Sequence, residues 1–349
     1  MIGLGRLLAA GALLALAACA AAPPEVSPPA GRTLAPNVPT IATPRVSWSD
    51  LPGWAAEDHL GALEAVRAAC RVRPPRYAEA CRDLAAEPPV SDSEARRFFE
   101  RWFVLQAEPD HGLLTAYYTP VYDARRTPEA PFTAPLRPAG DPILSTEDRA
   151  AIAAAPADDA LAWLKPEELF FLQVQGSGVL QMDDGTRLKA AYAGSNGKGF
   201  VAIGRVMRDR GLLADGRTSA GAISEWLADH RGPEADAVMD QDPRYVFFRL
   251  APDDGASPQG AAGLPLPAGR AAAVDPAFHP MGELLFLDAA DPRLSGAPSA
   301  YRRIVAALDT GSAIKGPARA DLYLGQGADV GLRAGLVRHR LILYRLSPR

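Results

Sequence analysis

From Asp58 onward, apolar and polar positions repeat at helical spacing, with Leu63, Val66 and Cys70 on one face, until Pro74-Pro75 closes the pattern. Residues 77–86 read as a return partner, so the two segments predict a helical hairpin. Ser91-Asp92-Ser93-Glu94 has the form of a capping box, and Ala95, Phe98, Phe99 and Trp102 behind it form a stripe that faces a core. After His111 the period becomes that of strands. Short runs at 113–122, 169–175, 187–194, 244–250, 283–288, 301–309 and 339–346 mostly have Gly or Pro beside them. Helical spacing returns at 199–210 and 219–230. This order predicts β-barrels with inserted helices rather than a doubly wound parallel sheet.

Composition adds limits. The chain has 349 residues, 48% of them apolar, with 31 Gly and 33 Pro, so a large core built from short elements is expected. A net charge of −4 gives no reason to expect a nucleic-acid partner. Residues 1–18 hold one early charge, Arg6, and an apolar run too short to span a bilayer comfortably, as in a secretory signal. The run ends in Leu16-Ala17-Ala18-Cys19, which resembles a bacterial lipobox. That resemblance implies lipid on Cys19 and, with Ala20 following, a place on the periplasmic face of the outer membrane. Residues 19–49, rich in Pro, Ala, Ser and Thr, are expected to be a tether. Only Cys70 and Cys81 remain, and an exported chain suggests that they form a disulfide, the alternative being two buried thiols. Neither has a neighbouring His or Cys to complete a metal site.

Asp309-Thr310-Gly311-Ser312 has the form in which aspartic proteases present a carboxylate. A pepsin-like enzyme needs two such motifs, and this chain has one. A retroviral-type subunit builds most of its fold after the motif, whereas forty residues follow Asp309. The Gly is better explained by a tight turn at a strand end.

Three segments fit another pattern: VDPAFHPMGELLFL with Asp275, ALDTGSAIKGPARAD with Asp309 and Asp321, and LYLGQGADVGLRAG. Together they resemble the three-aspartate domain of bacterial cell-wall enzymes, which implies a double-psi β-barrel. QVQGSGVLQMDDGTRLKAAYAGSNGKGFVAIGRVM (173–207) and GLLTAYYTPVYDARRTP (112–128) narrow the match. They resemble the signatures of the membrane-bound lytic murein transglycosylase A family in order and spacing. The resemblance covers most of residues 90–349. It implies a mainly β protein with a helical start. Domain 1 would comprise 50–120 and 253–349, domain 2 would be an insertion at 121–252, and a groove would lie between them.

The implied activity is cleavage of the β-1,4 bond between N-acetylmuramic acid and N-acetylglucosamine, with a 1,6-anhydro ring as product. Peptidoglycan glycan strands would be the partner, the protein would be a monomer, and no cofactor is expected. The resemblance assigns the catalytic acid to Asp321 and its neighbour to Asp309, with Asp275 before Pro276 as a supporting residue. One carboxyl suffices, because the sugar's own C6 hydroxyl closes on C1 and the same group can act as acid and then as base. It must start protonated, which burial and an Asp309 carboxylate would favour. Lys315 and Arg319 are therefore expected to point at substrate or backbone. The matching motifs nominate Thr115, Tyr117, Tyr118, Gln175, Gly176, Ser177, Gly178, Tyr192, Asn196, Gly311, Ala313 and Lys315 for the glycan, and alternation predicts that about half of the tyrosines are core. Thr119 stands where the family has Glu, and Ser312 where a Gly is common. A non-catalytic peptidoglycan-binding lipoprotein and a hydrolase of the same glycan are the competing readings.

Overall fold

The computed structural model describes residues 45–73, 75–109, 111–213, 219–294 and 296–349. The leader at 1–18, Cys19 and most of the expected tether lie outside the described residues. Among those described, no helix is long and apolar enough to cross a membrane.

The tether was expected to run to residue 49, but the fold begins earlier. Strand β1 (Arg45–Val46) pairs with β2 (Phe103–Ala107), and the Trp48 ring lies 4.3 Å from that of Trp54. Three helices lie between these strands: α1 (His59–Val72), α2 (Ala78–Ala86) and α3 (Asp92–Trp102). Asp58 caps α1 by accepting from Gly61 N at 2.9 Å. Ser91 caps α3 by accepting from Glu94 N at 3.3 Å, while the Glu94 carboxylate reaches back to Val90 N at 2.9 Å. A Cys70–Cys81 disulfide joins α1 to α2 across 11 residues of sequence. Closing a loop of that size restricts the unfolded chain enough to contribute about 2–3 kcal/mol.

Next comes β3 (Gly112–Thr119), and Pro120 separates it from β4 (Val121–Ala124), which belongs to another sheet. The middle of the chain supplies β5 (Ala134–Leu136), α4 (Arg149–Ala154), β6 (Ala162–Leu164) and α5 (Pro166–Gln175). It continues with β7 (Gly178–Met182), β8 (Arg187–Ser195), α6 (Ile203–Asp209), α7 (Ala220–Asp229), α8 (Pro233–Met239) and β9 (Val246–Pro252). The end of the chain holds β10 (Ala271–Val274), β11 (Leu284–Pro292), β12 (Ala300–Asp309), β13 (Arg319–Gln326), α9 (Ala328–Ala334) and β14 (Arg338–Pro348).

The run at 169–175 reads as a strand in the sequence, but the structure makes it helix α5. Leu169, Phe170, Leu172 and Gln173 are all buried, so one-sided helical periodicity is lost. The signals that won are terminal: Pro166 in the first turn, Glu167 and Glu168 beside it, and Gly176 ending the helix at φ 80°.

Six strands close into a barrel in the order β14, β11, β12, β10, β13, β3 and back to β14. Two neighbouring pairs, β10 with β12 and β13 with β3, run parallel. β14 closes the ring on β3 through Arg338–Leu341, then pairs with β2 through Tyr344–Pro348. Leu285, Leu287, Val305, Ala307, Ala320 and Leu322 fill the barrel. The alternate residues Leu284, Phe286, Ile304, Ala306 and Leu308 pack outward against the helical layer. Both faces of these strands are buried, which is why they read as continuous apolar runs. The second sheet, β4-β7-β8-β9, draws all its strands from residues 121–252 and has its own core around Leu172, Leu180 and Phe248.

Candidate active site

The barrel register lines up the central residues. Ala273 on β10 pairs with Asp309 on β12 on one side and with Asp321 on β13 on the other. Asp321 in turn pairs with Thr115 on β3. The row Asp309, Ala273, Asp321, Thr115 thus crosses four adjacent strands. Strands are spaced by about 4.8 Å, so the two Asp backbones stand roughly 10 Å apart. Ala320 and Leu322 point into the barrel, so Asp321 between them points out, as Thr115 does beside inward Leu114. The acids lie on the outer wall of the barrel, beneath the inserted domain.

Each acid is held differently. Asp309 Oδ2 accepts from Tyr117 Oη at 2.8 Å, and Oδ1 accepts from Ala261 N at 3.0 Å and Thr310 N at 2.9 Å. Asp321 Oδ1 accepts from Thr115 Oγ1, whose oxygen accepts from Arg319 Nη2 at 2.8 Å. Among the described residues, Asp321 Oδ2 has no hydrogen-bond partner. Burial pushes the Asp321 carboxyl above the usual carboxylate range, opposed by the Arg319 charge and the Thr115 hydrogen bond and helped last by Asp309. Burial also raises Asp309, against the Tyr117 hydroxyl and the two backbone N–H groups. Burial and Asp309 both raise the Asp321 carboxyl, as expected, with burial the largest influence and Asp309 the smallest. One expectation changes. Arg319 does come near, although it also donates to the carbonyls of Ala320 at 2.5 Å and Leu113 at 3.3 Å.

Asp275 fastens the turn between the acids. Its Oδ2 accepts from Gly316 N at 2.9 Å and its Oδ1 from Ala277 N at 3.2 Å. The Gly316 bond is the largest influence holding Asp275 below the usual carboxylate range. Gly316 has φ 102°, a backbone conformation that residues with a Cβ rarely adopt. Buried His279 adds a second tie, with Nε2 donating to Pro317 O at 2.6 Å and Nδ1 lying 2.9 Å from Glu283 Oε2.

A groove of about 830 Å³ opens above the row and continues into a pocket of about 250 Å³ that contains Asp321, Thr115 and Ala313. Tyr117, Gln175, Asp309, Gly311 and Ser312 line both. The helix stop at Gly176 delivers Gln175, Gly176, Ser177 and Gly178 to the groove wall. Tyr192, 47% exposed, lines it from β8, where a bulge before Gly194 shifts the register. Thr119, in place of the family Glu, is buried and bonds Tyr323 Oη at 2.9 Å.

Three nominated residues do not face the groove. Asn196 is buried; its Nδ2 donates to Glu147 O and Pro243 O, both at 2.8 Å, and its Oδ1 accepts from Tyr245 N at 2.9 Å, so it pins a loop. The Tyr118 ring packs on Gly331, where an added Cβ would sit 2.6 Å from it, because alternation turns it away from Tyr117. Lys315 leans toward Asp275, with Nζ 4.0 Å from Oδ1. Conversely, Arg244 and Phe200 line the deeper pocket, and Ala261 N holds Asp309, although none of the three was nominated from the sequence. A backbone donor leaves no side-chain signal in a sequence. Among the described residues, no group of three His, Cys, Asp or Glu side chains converges as a metal site would require.

Comparison with known proteins gives matching results. Residues 137–249 match the family model described as the MltA specific insert domain, and residues 270–347 match the 3D domain. The membrane-bound lytic murein transglycosylase A of Vibrio cholerae is 34% identical over 236 residues, 65% of this chain and 63% of that protein. The chain thus spans just under two thirds of the length of that curated relative. The crystal structure of a membrane-bound lytic murein transglycosylase from Agrobacterium tumefaciens matches with TM-score 0.74 and 34% identity, covering 87% of this chain and 97% of that one. The structure of Escherichia coli MltA with bound chitohexaose matches with TM-score 0.71 and 28% identity, over 83% and 90% of the two chains. With the barrel, the insert and the matched sequence taken together, the chain belongs to the membrane-bound lytic murein transglycosylase A family.

Proposed function

We propose that the protein is a lytic transglycosylase that cuts the β-1,4 bond between N-acetylmuramic acid and N-acetylglucosamine in peptidoglycan, leaving a 1,6-anhydro end. The observation that carries this reading is the inequality of the two acids. Burial raises both carboxyls, but Asp309 is occupied by three donors, whereas among the described residues Asp321 Oδ2 has no hydrogen-bond partner. A hydrolase needs two working carboxyl groups, one as acid and one as nucleophile or base. Here one is available, which suits a reaction whose nucleophile belongs to the sugar.

In that reaction the proton on Asp321 Oδ2 passes to the glycosidic oxygen as its bond to C1 breaks. The C6 hydroxyl oxygen of the muramoyl residue then bonds to C1, and its proton goes to the Asp321 carboxylate. Atoms and charge balance without water. Arg319 and Thr115 fix the carboxyl on its other oxygen, and Tyr117, Gln175, Ser177 and Tyr192 give the groove hydroxyls, an amide and aromatic faces suited to a sugar chain. The names of the relatives, and chitohexaose in the E. coli structure, support the substrate class. The test is mass spectrometry of digested murein. Anhydro ends are expected. Reducing ends would replace this reading with a hydrolase, and intact strands would replace it with a binding lipoprotein.

The same reading has the protein act as a monomer held by lipid on Cys19 at the periplasmic face of the outer membrane; the relatives' names include "membrane-bound". Cys19→Ala should move most of the protein from the membrane fraction to the soluble periplasm. Unchanged fractionation would count against the lipobox.

A further inference from the structure

Five basic side chains line the groove and its deeper pocket: Lys189, Lys198, Arg244, Arg249 and Arg319. The acids that share this lining are Asp254, Asp309 and Asp321. The groove therefore carries a positive excess in a chain whose net charge is −4. Most of the cations are engaged by the protein itself. Lys189 pairs with Asp254, and Lys198 Nζ lies 3.4 Å from Asp148. Arg249 donates to Tyr192 O at 2.7 Å, and Arg319 to Thr115 at 2.8 Å.

Arg244 is different. Among the described residues no carboxylate lies within 4.0 Å of its guanidinium, and its side chain makes one hydrogen bond, Nη1 to Gln173 O at 3.5 Å. Its backbone is fixed all the same: Arg244 N donates to Asp242 Oδ1 at 3.3 Å, and Arg244 O accepts from buried Arg149. The side chain is half-buried and stands where the two pockets join, beside Tyr117, Gln175 and Asp309. A guanidinium has five donors in a planar fork that matches a carboxylate. Here that fork is held on a rigid base and left open to the groove. A neutral sugar polymer gives it no charge to meet. A muramoyl sugar does, through the carboxylate of its lactyl group or of a peptide built on it.

We propose that Arg244 is a specificity-determining residue that binds a carboxylate on the muramoyl sugar and so selects peptidoglycan over neutral N-acetylglucosamine polymer. This rests on the glycan-cleaving reading above. Arg319 and Asp309 are the charges that act on Asp321, so Arg244 works through binding and not through the catalytic proton.

The experiment measures binding in the Asp321→Asn background, where turnover does not interfere. Three glycans of equal length are compared: an N-acetylglucosamine hexamer, an alternating muramoyl oligomer with free lactyl carboxylates, and the same oligomer with peptide stems. Arg244→Met keeps the aliphatic stem and removes the fork. Kd should rise about 10- to 100-fold for the muramoyl ligands, as expected for a lost charged hydrogen bond, and stay within about twofold for the hexamer. Loss on the peptide-free oligomer assigns the carboxylate to the lactyl group; loss confined to the stem-bearing oligomer assigns it to the peptide. Arg244→Lys should recover part of the discrimination, because it restores the charge without the fork. In the catalytically intact protein, Arg244→Met should leave the pH profile of cleavage in place. Equal weakening for all three glycans, or for none, overturns the proposal while the cleavage reading stands. A parent that neither binds nor cuts any of them removes both.

Discussion

Asp321→Asn should leave the fold intact and reduce formation of 1,6-anhydro product from purified murein to near background, a loss of at least about 10²–10⁴-fold. The loss should reach the top of that range, because in the proposed mechanism one group serves both proton transfers. Asn keeps the size of the side chain and can still accept from Thr115, so the effect isolates the titrating proton. In the parent, activity should fall as pH rises through the raised Asp321 pKa, since the first step needs the protonated form. Asp309→Asn should cut activity less and shift that limb only slightly toward acid, because burial outweighs Asp309 in holding Asp321 up. Stability changes with pH in the same direction as activity, so the substitution affects the two oppositely. A carboxyl whose folded pKa is raised contributes most below its unfolded pKa, and that contribution is lost as pH rises through the folded value. Asp321→Asn should therefore melt higher than the parent at neutral pH, with a gap that widens as pH increases. A folded variant that cleaves at the parental rate would refute the assignment.

The second large effect concerns the joint between the helical layer and the barrel. Glu57→Ala should destabilise the protein by about 3 kcal/mol, the lower end of the cost of breaking a buried ion pair, because Arg270 keeps a second carboxylate in Asp58. Glu57 is 6% exposed; its Oε1 lies 2.9 Å from Arg270 Nη1, and its Oε2 accepts from Ile304 N at 2.7 Å. Removing the carboxylate leaves the buried guanidinium with only the exposed Asp58 carboxylate, 3.0 Å away, as a charge partner and orphans a strand N–H. Arg270 immediately precedes β10, so the damage lies at the root of the strand that separates the two acids. By calorimetry the melting temperature should fall on the order of 5–15 °C. Burial raises the Glu57 pKa despite Arg270, so the Glu57 carboxyl contributes most to stability at low pH and less as pH rises through the folded value. The deficit of the single variant should narrow accordingly. The double variant Glu57→Met, Arg270→Met should regain most of the stability. A single variant as stable as the parent would mean that the pair does not join the two layers.

Much of this architecture was legible because its signals are local. The helix start at Asp58, the cap at Ser91, the stripe at Ala95, Phe98 and Phe99, and the apolar strand runs are written in neighbouring residues. The motif around Asp309 and Asp321 marked the right strands for the same reason. Helix α5 was misread because burial on all sides erases periodicity, although Pro166 and Gly176 bounded it. Arg45, Val46 and Trp48 look like tether by composition, and only the pairing of Arg45 and Val46 with β2 brings them into the fold.

The roles within the site were decided by contacts distant in sequence. Thr115 meets Asp321 across 206 positions, and Ala261 meets Asp309 across 48. No local pattern records which of two acids will receive three donors and which will keep a free oxygen. The same holds for Asn196, a plausible sugar ligand by motif that is spent on carbonyls 47 and 49 positions away. The sequence by itself determined which acids and which strands would build the wall. Only the closing of the barrel beneath its insert decided which carboxyl loses its water and faces the groove, because desolvation and hydrogen-bond partners are properties of the packed chain.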